Sequence, residues 1–136
     1  MKRILLLGAS GSIGQQTLEI IARNPQDFEL VAFSVGSHTE QIDQILKQNP
    51  HVLSFCIGHG ERVKTFLKKY PDQHVYSGDQ GLLDLIESVP CDLVVNALVG
   101  FVGFAPTVRA LEKNIDVALA NKESLVVGGD LIRNLL

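Results

Sequence analysis

The stretch from Ile4 to Gly14 constrains the fold more than any other. Ile4-Leu5-Leu6-Leu7 is continuous and apolar and runs directly into Gly8-Ala9-Ser10-Gly11-Ser12-Ile13-Gly14. A short apolar run closed by a glycine reads as a strand buried on both faces. Beyond the turn, Ile13, Thr17, Ile20 and Ile21 recur along one face of a helix predicted from about Ser12 to Asn24, and Pro25 ends it. Strand, glycine-rich turn and helix in that order open a βαβ unit, which requires a parallel sheet.

The same alternation continues along the chain. Further strands are predicted at Leu30 to Val35, Val52 to Ile57, His74 to Tyr76, Asp92 to Leu98 and Ile115 to Ala120. Between them, Ile42, Ile45 and Leu46 mark a helix that Asn49-Pro50 terminates. Val63, Phe66, Leu67 and Tyr70 mark a second and Leu82, Leu85, Ile86 and Val89 a third, while Pro106 falls in the first turn of a fourth. Parallel strands joined by right-handed crossovers give a Rossmann-like, doubly wound, mostly parallel α/β sheet with helices on both faces. At 136 residues the chain has room for one domain, residues 1–136. The apolar helical pattern of Leu131-Ile132-Arg133-Asn134-Leu135-Leu136 reaches the last residue, so the chain is expected to be part of a longer protein.

Charge and composition exclude several function classes. The net charge is -3 with 20% charged residues, and Lys and Arg never form a run, which argues against a nucleic-acid or anionic-membrane surface. Cys56 and Cys91 form no CxxC pair and read as small core residues of a reducing compartment. His38, His51, His59 and His74 show no metal-ligand spacing with carboxylates. Lys2-Arg3 before Ile4 to Leu7 imitates a signal peptide, but the apolar run stops at Gly8. With no apolar stretch long enough to span a bilayer, the expected location is the cytoplasm.

Four segments are candidates to carry chemistry. A glycine turn between strand and helix lets the backbone approach a pyrophosphate, and the helix start offers unpaired N–H groups. The spacing here is GxxGxxG rather than GxGxxG, and the same residues also read as a tight turn in which Ser12 and Gln15 form a capping box. At the end of the second strand, an acidic residue would select NAD through the ribose 2'-hydroxyl. Ser34-Val35-Gly36-Ser37-His38-Thr39 places no carboxylate before Glu40, which favours NADP, with Ser37 and His38 available as donors to a phosphate. No Arg or Lys occurs in that turn, and Ser37 with Glu40 also fits a simple capping box. Asn96 to Gly103 falls at the switch-point crevice of such a sheet, where its glycines also suit a plain loop. Ala118 to Leu125 ends a strand abruptly in Asn121, Lys122 and Glu123, which suit either a reactive strand end or a helix cap.

Two of these segments together are distinctive. The glycine turn followed by Asn24-Pro25, and Leu119-Ala120-Asn121-Lys122-Glu123-Ser124-Leu125-Val126, resemble the N-terminal region of 1-deoxy-D-xylulose 5-phosphate reductoisomerases across essentially the whole chain. The resemblance implies an NADPH- and divalent-metal-dependent homodimer. It also implies an oxidoreductase that makes 2-C-methyl-D-erythritol 4-phosphate for non-mevalonate isoprenoid synthesis, by metal-assisted rearrangement and hydride transfer. Carried over by position, it implies NADPH contacts at Ser10, Gly11, Ser12 and Ile13, at Gly36, Ser37 and His38 for the 2'-phosphate end, and at Asn121 and Glu123 on the nicotinamide side. It implies that Lys122 touches the sugar-phosphate substrate. Family members often carry a basic residue at the position of Ser37 and asparagine at that of His38, and this chain departs at both. The family's metal ligands fall in an Asp-Ser-Glu motif with no counterpart in residues 1–136, so this segment is expected to bind cofactor without turnover.

Two other functions remain open from the residues alone. A semialdehyde dehydrogenase-type cofactor domain needs a catalytic cysteine after the fourth or fifth strand, whereas Cys91 precedes its strand. A non-catalytic nucleotide-sensing module needs no Lys122-Glu123 pair, and its usual basic partner region is not found in this chain.

Overall fold

The computed structural model describes residues 1–98, 103–119 and 126–127. Seven strands form one sheet: β1 (Lys2–Leu7), β2 (Phe28–Ser34), β3 (Ser54–Ile57), β4 (His74–Ser77), β5 (Leu93–Asn96), β6 (Asp116–Leu119) and β7 (Val126–Val127). Five helices alternate with them: α1 (Ser12–Arg23), α2 (Ile42–Gln48), α3 (Val63–Lys69), α4 (Gly78–Ser88) and α5 (Phe104–Glu112). The spatial order is β4-β3-β2-β1-β5-β6-β7, with every pair from β4 to β6 parallel and β7 antiparallel on β6. The predicted doubly wound, mostly parallel sheet is therefore the observed one. The chain leaves β1 toward β2 on one side and returns to β5 on the other, so the switch point lies between β1 and β5.

Strand periodicity divides the core into two layers. Ile4 and Leu6 of β1 join Leu30, Phe33, Phe55 and Ile57 beneath α1, α2 and α3, where Ile21, Ile42, Ile45 and Phe66 close over them. Leu5 and Leu7 face the opposite way with Ala32, Cys56, Val94 and Val117, covered by Leu82, Leu85 and Ile86 of α4 and by Ala110 and Leu111 of α5. In the β1–β2 register Ile4 pairs with Leu30 but Leu5 pairs with Ala32, so Val31 is an extra residue. That bulge shifts the alternation by one and lets Leu30 and Phe33 share a face. Arg3 clamps the start of β1 to β5 with a bidentate pair to Asp92, Nε to Oδ2 at 3.2 Å and Nη2 to Oδ1 at 3.2 Å.

One helix is rotated from its sequence-predicted face. Ile13 and Ile20, expected to point inward, are 40% and 53% exposed, and the inward line of α1 is Gly14, Leu18 and Ile21. The cause is a contact that hydropathy does not register. A Cβ at Gly14 would stand 2.1 Å from the Gly8 carbonyl oxygen, so the helix approaches the turn through its glycine and turns Ile13 outward.

Candidate functional site

The ends of β1, β2 and β5 meet at one edge of the sheet. Gly8 takes a left-handed conformation, φ +84°, and a Cβ there would lie 2.9 Å from the Ala97 carbonyl oxygen. Glycine is required on both counts. The turn is fixed from below by Ser34 at the end of β2, a buried residue whose Oγ accepts from Gly8 N–H at 2.9 Å and whose carbonyl accepts from Ala9 N–H at 2.8 Å. On the other side, Ala97 N–H donates to Leu7 O at 2.9 Å.

The three glycines of the turn do different things. Gly8 and Gly14 are closed in by backbone, whereas a Cβ on Gly11 would meet nothing nearer than the Gly8 oxygen at 3.8 Å. Gly11, at φ −78°, is the residue that caps α1, and no side chain caps the helix. The capping-box reading of Ser12 and Gln15 is thus not what forms, since Gln15 Nε2 donates back to Ser10 O at 3.0 Å. Gln15 N–H reaches Gly11 O at 2.9 Å, but the N–H groups of Ser12, Ile13 and Gly14 find no acceptor among the described residues. Open space at Gly11 beside these unclaimed donors and the positive end of a helix is a seat for an anion such as a pyrophosphate.

The neighbouring turn after β2 has similar openness. Gly36, Ser37 and His38 are exposed, and a Cβ on Gly36 would have nothing within 4 Å. A 3-10 turn follows at Thr39–Gln41, again with no side-chain cap, so the Ser37–Glu40 capping box does not form either. Glu40 instead faces His38, with Oε1 3.5 Å from Nδ1. Because β1 and β2 are adjacent, the two predicted groups, Ser10 to Ile13 and Gly36 to His38, come to one sheet edge.

At the β5 end, Asn96 is buried and uses every hydrogen-bonding group it has. Its Nδ2 donates to Gly103 O at 2.8 Å and Thr107 Oγ1 at 2.7 Å, and its Oδ1 accepts from Leu98 N–H at 3.1 Å. It ties the strand end to the start of α5. Asn121, Lys122 and Glu123 lie outside the described residues, as do Val99 to Val102. The last described residue before them, Leu119, sits opposite Asn96, which in turn sits opposite Leu7.

The cysteines take no part in this edge. Cys56 is buried under α4, and burial pushes its thiol up to about 12, while half-buried Cys91 is pushed up to about 11 for the same reason. Among the described residues no three His, Cys, Asp or Glu side chains converge as a metal site, and no helix is long and apolar enough to cross a membrane.

Sequence reasoning missed three residues. Ser34 was readable in principle, as a polar residue closing an apolar strand. The sequence marks Asn96 only as part of a strand and of a candidate switch-point segment, with no sign of the hydrogen bonds by which it ties β5 to α5. Arg62, from a distant segment, donates from Nη1 to Thr39 Oγ1 at 2.7 Å beside the second turn, and nothing in the local sequence signals it.

A glycine-turn nucleotide seat on this strand order is common to many proteins, and comparison with known families decides among them. The family model for 1-deoxy-D-xylulose 5-phosphate reductoisomerase matches residues 4–129. The chain belongs to this reductoisomerase family. Its reductoisomerase relatives include one from Listeria innocua, 41% identical over 133 residues covering 97% of this chain and 34% of the relative. Another, from Macrococcus caseolyticus, is 40% identical over 136 residues, 99% of this chain and 35% of the relative. This chain therefore spans about a third of the length of the curated reductoisomerases it matches. Among solved structures, a DOX-P reductoisomerase in complex with NADPH, fosmidomycin and magnesium superposes with a TM-score of 0.82 at 31% identity, covering 98% of this chain and 33% of that one. The Zymomonas mobilis reductoisomerase in complex with NADPH gives 0.78 at 26% identity, covering 91% and 33%.

Proposed function

We propose that residues 1–136 are the NADPH-binding part of an enzyme that converts 1-deoxy-D-xylulose 5-phosphate to 2-C-methyl-D-erythritol 4-phosphate. That enzyme is an oxidoreductase of non-mevalonate isoprenoid synthesis, working in the cytoplasm as a homodimer. The observation that carries the reading is the turn at Gly11. It is walled by backbone at Gly8 and Gly14, open at Gly11, and lined by three N–H groups with no protein acceptor among the described residues. A dinucleotide pyrophosphate fits such a cradle, and a side chain on Gly11 would occupy the same open space.

In this reading Ser10, Gly11, Ser12 and Ile13 hold the pyrophosphate, with the N–H groups of Ser12 and Ile13 as donors. Gly36, Ser37 and His38 receive the adenosine 2'-phosphate, and the missing carboxylate at the end of β2 removes the repulsion that would select NADH. Asn121 and Glu123 orient the nicotinamide ribose. Lys122 places a cation on a substrate oxygen, and Asn96 holds the strand end and the start of α5 in place. When bound, NADPH supplies the hydride and a divalent metal polarises the substrate oxygens. The resemblance puts the metal's ligands in an Asp-Ser-Glu motif that residues 1–136 do not contain.

The test is calorimetric titration of this chain with NADPH and, separately, NADH. Binding of NADPH in clear preference to NADH supports the reading. Equal affinity, or binding of neither, counts against it.

A further inference from the structure

The turn that would receive the 2'-phosphate contains no fixed positive charge in its own sequence, and the fold brings one from elsewhere. Gly58, just after β3, has a Cβ position 3.1 Å from the Gly36 carbonyl carbon, and its N–H donates to Gly36 O at 3.2 Å. This backbone contact draws the segment after β3 against the turn after β2. The segment runs on through a 3-10 turn at Gly60–Arg62. There the Arg62 guanidinium donates from Nη1 to Thr39 Oγ1 at 2.7 Å, while its carbon lies 5.2 Å from the Phe66 ring centre. Hydroxyl and ring together fix the direction of the group.

Arg62 also differs from most other arginines of the chain. Arg3, Arg23 and Arg109 pair with Asp92, Glu19 and Glu87, whereas Arg62 has no carboxylate partner among the described residues. The nearby Glu40 is turned to His38 instead. An oriented, uncompensated guanidinium beside an open Gly36 turn is suited to a phosphate, because its remaining N–H groups can engage two phosphate oxygens at once.

The geometry points to Arg62 as the residue that selects a 2'-phosphorylated nucleotide, acting across the sheet from the segment after β3 to the turn after β2. This rests on the NADPH reading above. Thr39 aims the guanidinium, and Ser37 and His38 add further donors around the same phosphate.

Titrations of the unaltered chain, Arg62→Gln and Arg62→Lys with NADPH and NADH test it. Arg62→Gln is expected to lose about 10- to 100-fold in NADPH affinity, the range of a charge-assisted contact, while NADH affinity stays within about twofold. Arg62→Lys recovers much of the loss, because it keeps the charge without the two-pronged geometry, and raising the salt narrows the difference from Arg62→Gln. If the unaltered chain prefers NADPH and Arg62→Gln keeps that preference, the assignment to Arg62 is wrong and the cofactor reading stands. If the unaltered chain shows no preference for NADPH, the cofactor reading fails and the role of Arg62 falls with it. Thermal unfolding of both variants confirms that the exposed substitution leaves the fold intact.

Discussion

Replacing Gly14 and Gly11 separately by alanine asks whether the glycines of the turn divide between packing and access. At Gly14 a Cβ would be 2.1 Å from Gly8 O and 2.7 Å from Ala9 Cα, whereas an ordinary carbon–oxygen contact is about 3.3 Å. Helix and turn must separate by roughly 1 Å, and both sides are backbone, so no rotamer change relieves the clash. Overpacking of this kind costs about 1–3 kcal/mol or more, against which alanine's better helix propensity returns about 1 kcal/mol. With the cost at the top of that range, we expect a net loss of about 2 kcal/mol. An unfolding entropy of about 2.1 cal/mol/K per residue over 136 residues makes 1 kcal/mol equal to ~3.5 °C, so Tm falls by ~7 °C. Gly11→Ala differs at every step: its Cβ has 3.8 Å of clearance and its φ of −78° suits any residue. There the entropy removed from the unfolded chain offsets the poorer helix cap, and stability stays within about 0.5 kcal/mol. The Gly11 methyl instead enters the proposed pyrophosphate seat and weakens NADPH binding. Urea and thermal unfolding followed by circular dichroism measure the first effect, and titration the second. A Gly14→Ala protein as stable as the unaltered chain would refute the close approach of α1 to the turn.

Other consequences follow from single residues. Asn96→Ala removes three hydrogen bonds and leaves the Leu98 N–H without its acceptor, so unfolding should show a loss of about 2 kcal/mol. A change under about 0.5 kcal/mol would mean that the β5 end is not held this way. Cys56, with its thiol pushed up to about 12, should react with an alkylating reagent at pH 8 about a hundredfold more slowly than a free thiol, and more slowly than Cys91 at about 11. Mass spectrometry of partly labelled, folded protein reads the order, and equal labelling would contradict the burial of Cys56. The Arg3 hydrogen bonds hold the Asp92 carboxyl below the usual carboxylate range. A depressed folded value contributes stability above the unfolded value and loses it as pH falls through the folded one. Asp92→Asn should therefore lower Tm near pH 7 by a gap that narrows as pH falls below the usual carboxylate range, whereas a constant gap would remove the electrostatic explanation.

What could be read before the structure, and what could not, divides along the range of the interactions. Apolar runs and 3.6-residue spacing gave the strands and helices from β1 to β6, because burial on both faces of a parallel sheet leaves a local record in each segment. The two-residue β7 leaves no such record. Ile13 and Ile20 misled for an instructive reason. Hydropathy assigns the inner face of α1 by its largest apolar side chains, but the helix rotation is set by the smallest residue on it, Gly14, which alone lets the Gly8 carbonyl approach. The glycine spacing announced a tight turn, but not that Gly8 and Gly14 serve packing while Gly11 leaves room.

The candidate site carries the same argument further. The placement of Ser10 to Ile13 and of Gly36 to His38 at one sheet edge was legible because each lies within a few residues of its strand end, where α/β sheets hold ligands. Ser34 and Arg62 act on turns formed by other segments. Ser34 reaches Gly8 because β2 lies beside β1, and Arg62 reaches Thr39 because β3 lies beside β2. Strand order, not spacing along the chain, decides which distant residue completes each turn. A nucleotide turn without a basic residue of its own is therefore weak evidence against phosphate recognition in this fold. The neighbouring strand's loop opens on the same edge and can deliver the charge, as Arg62 does across a close contact in which a Cβ at position 58 would stand 3.1 Å from the Gly36 carbonyl carbon.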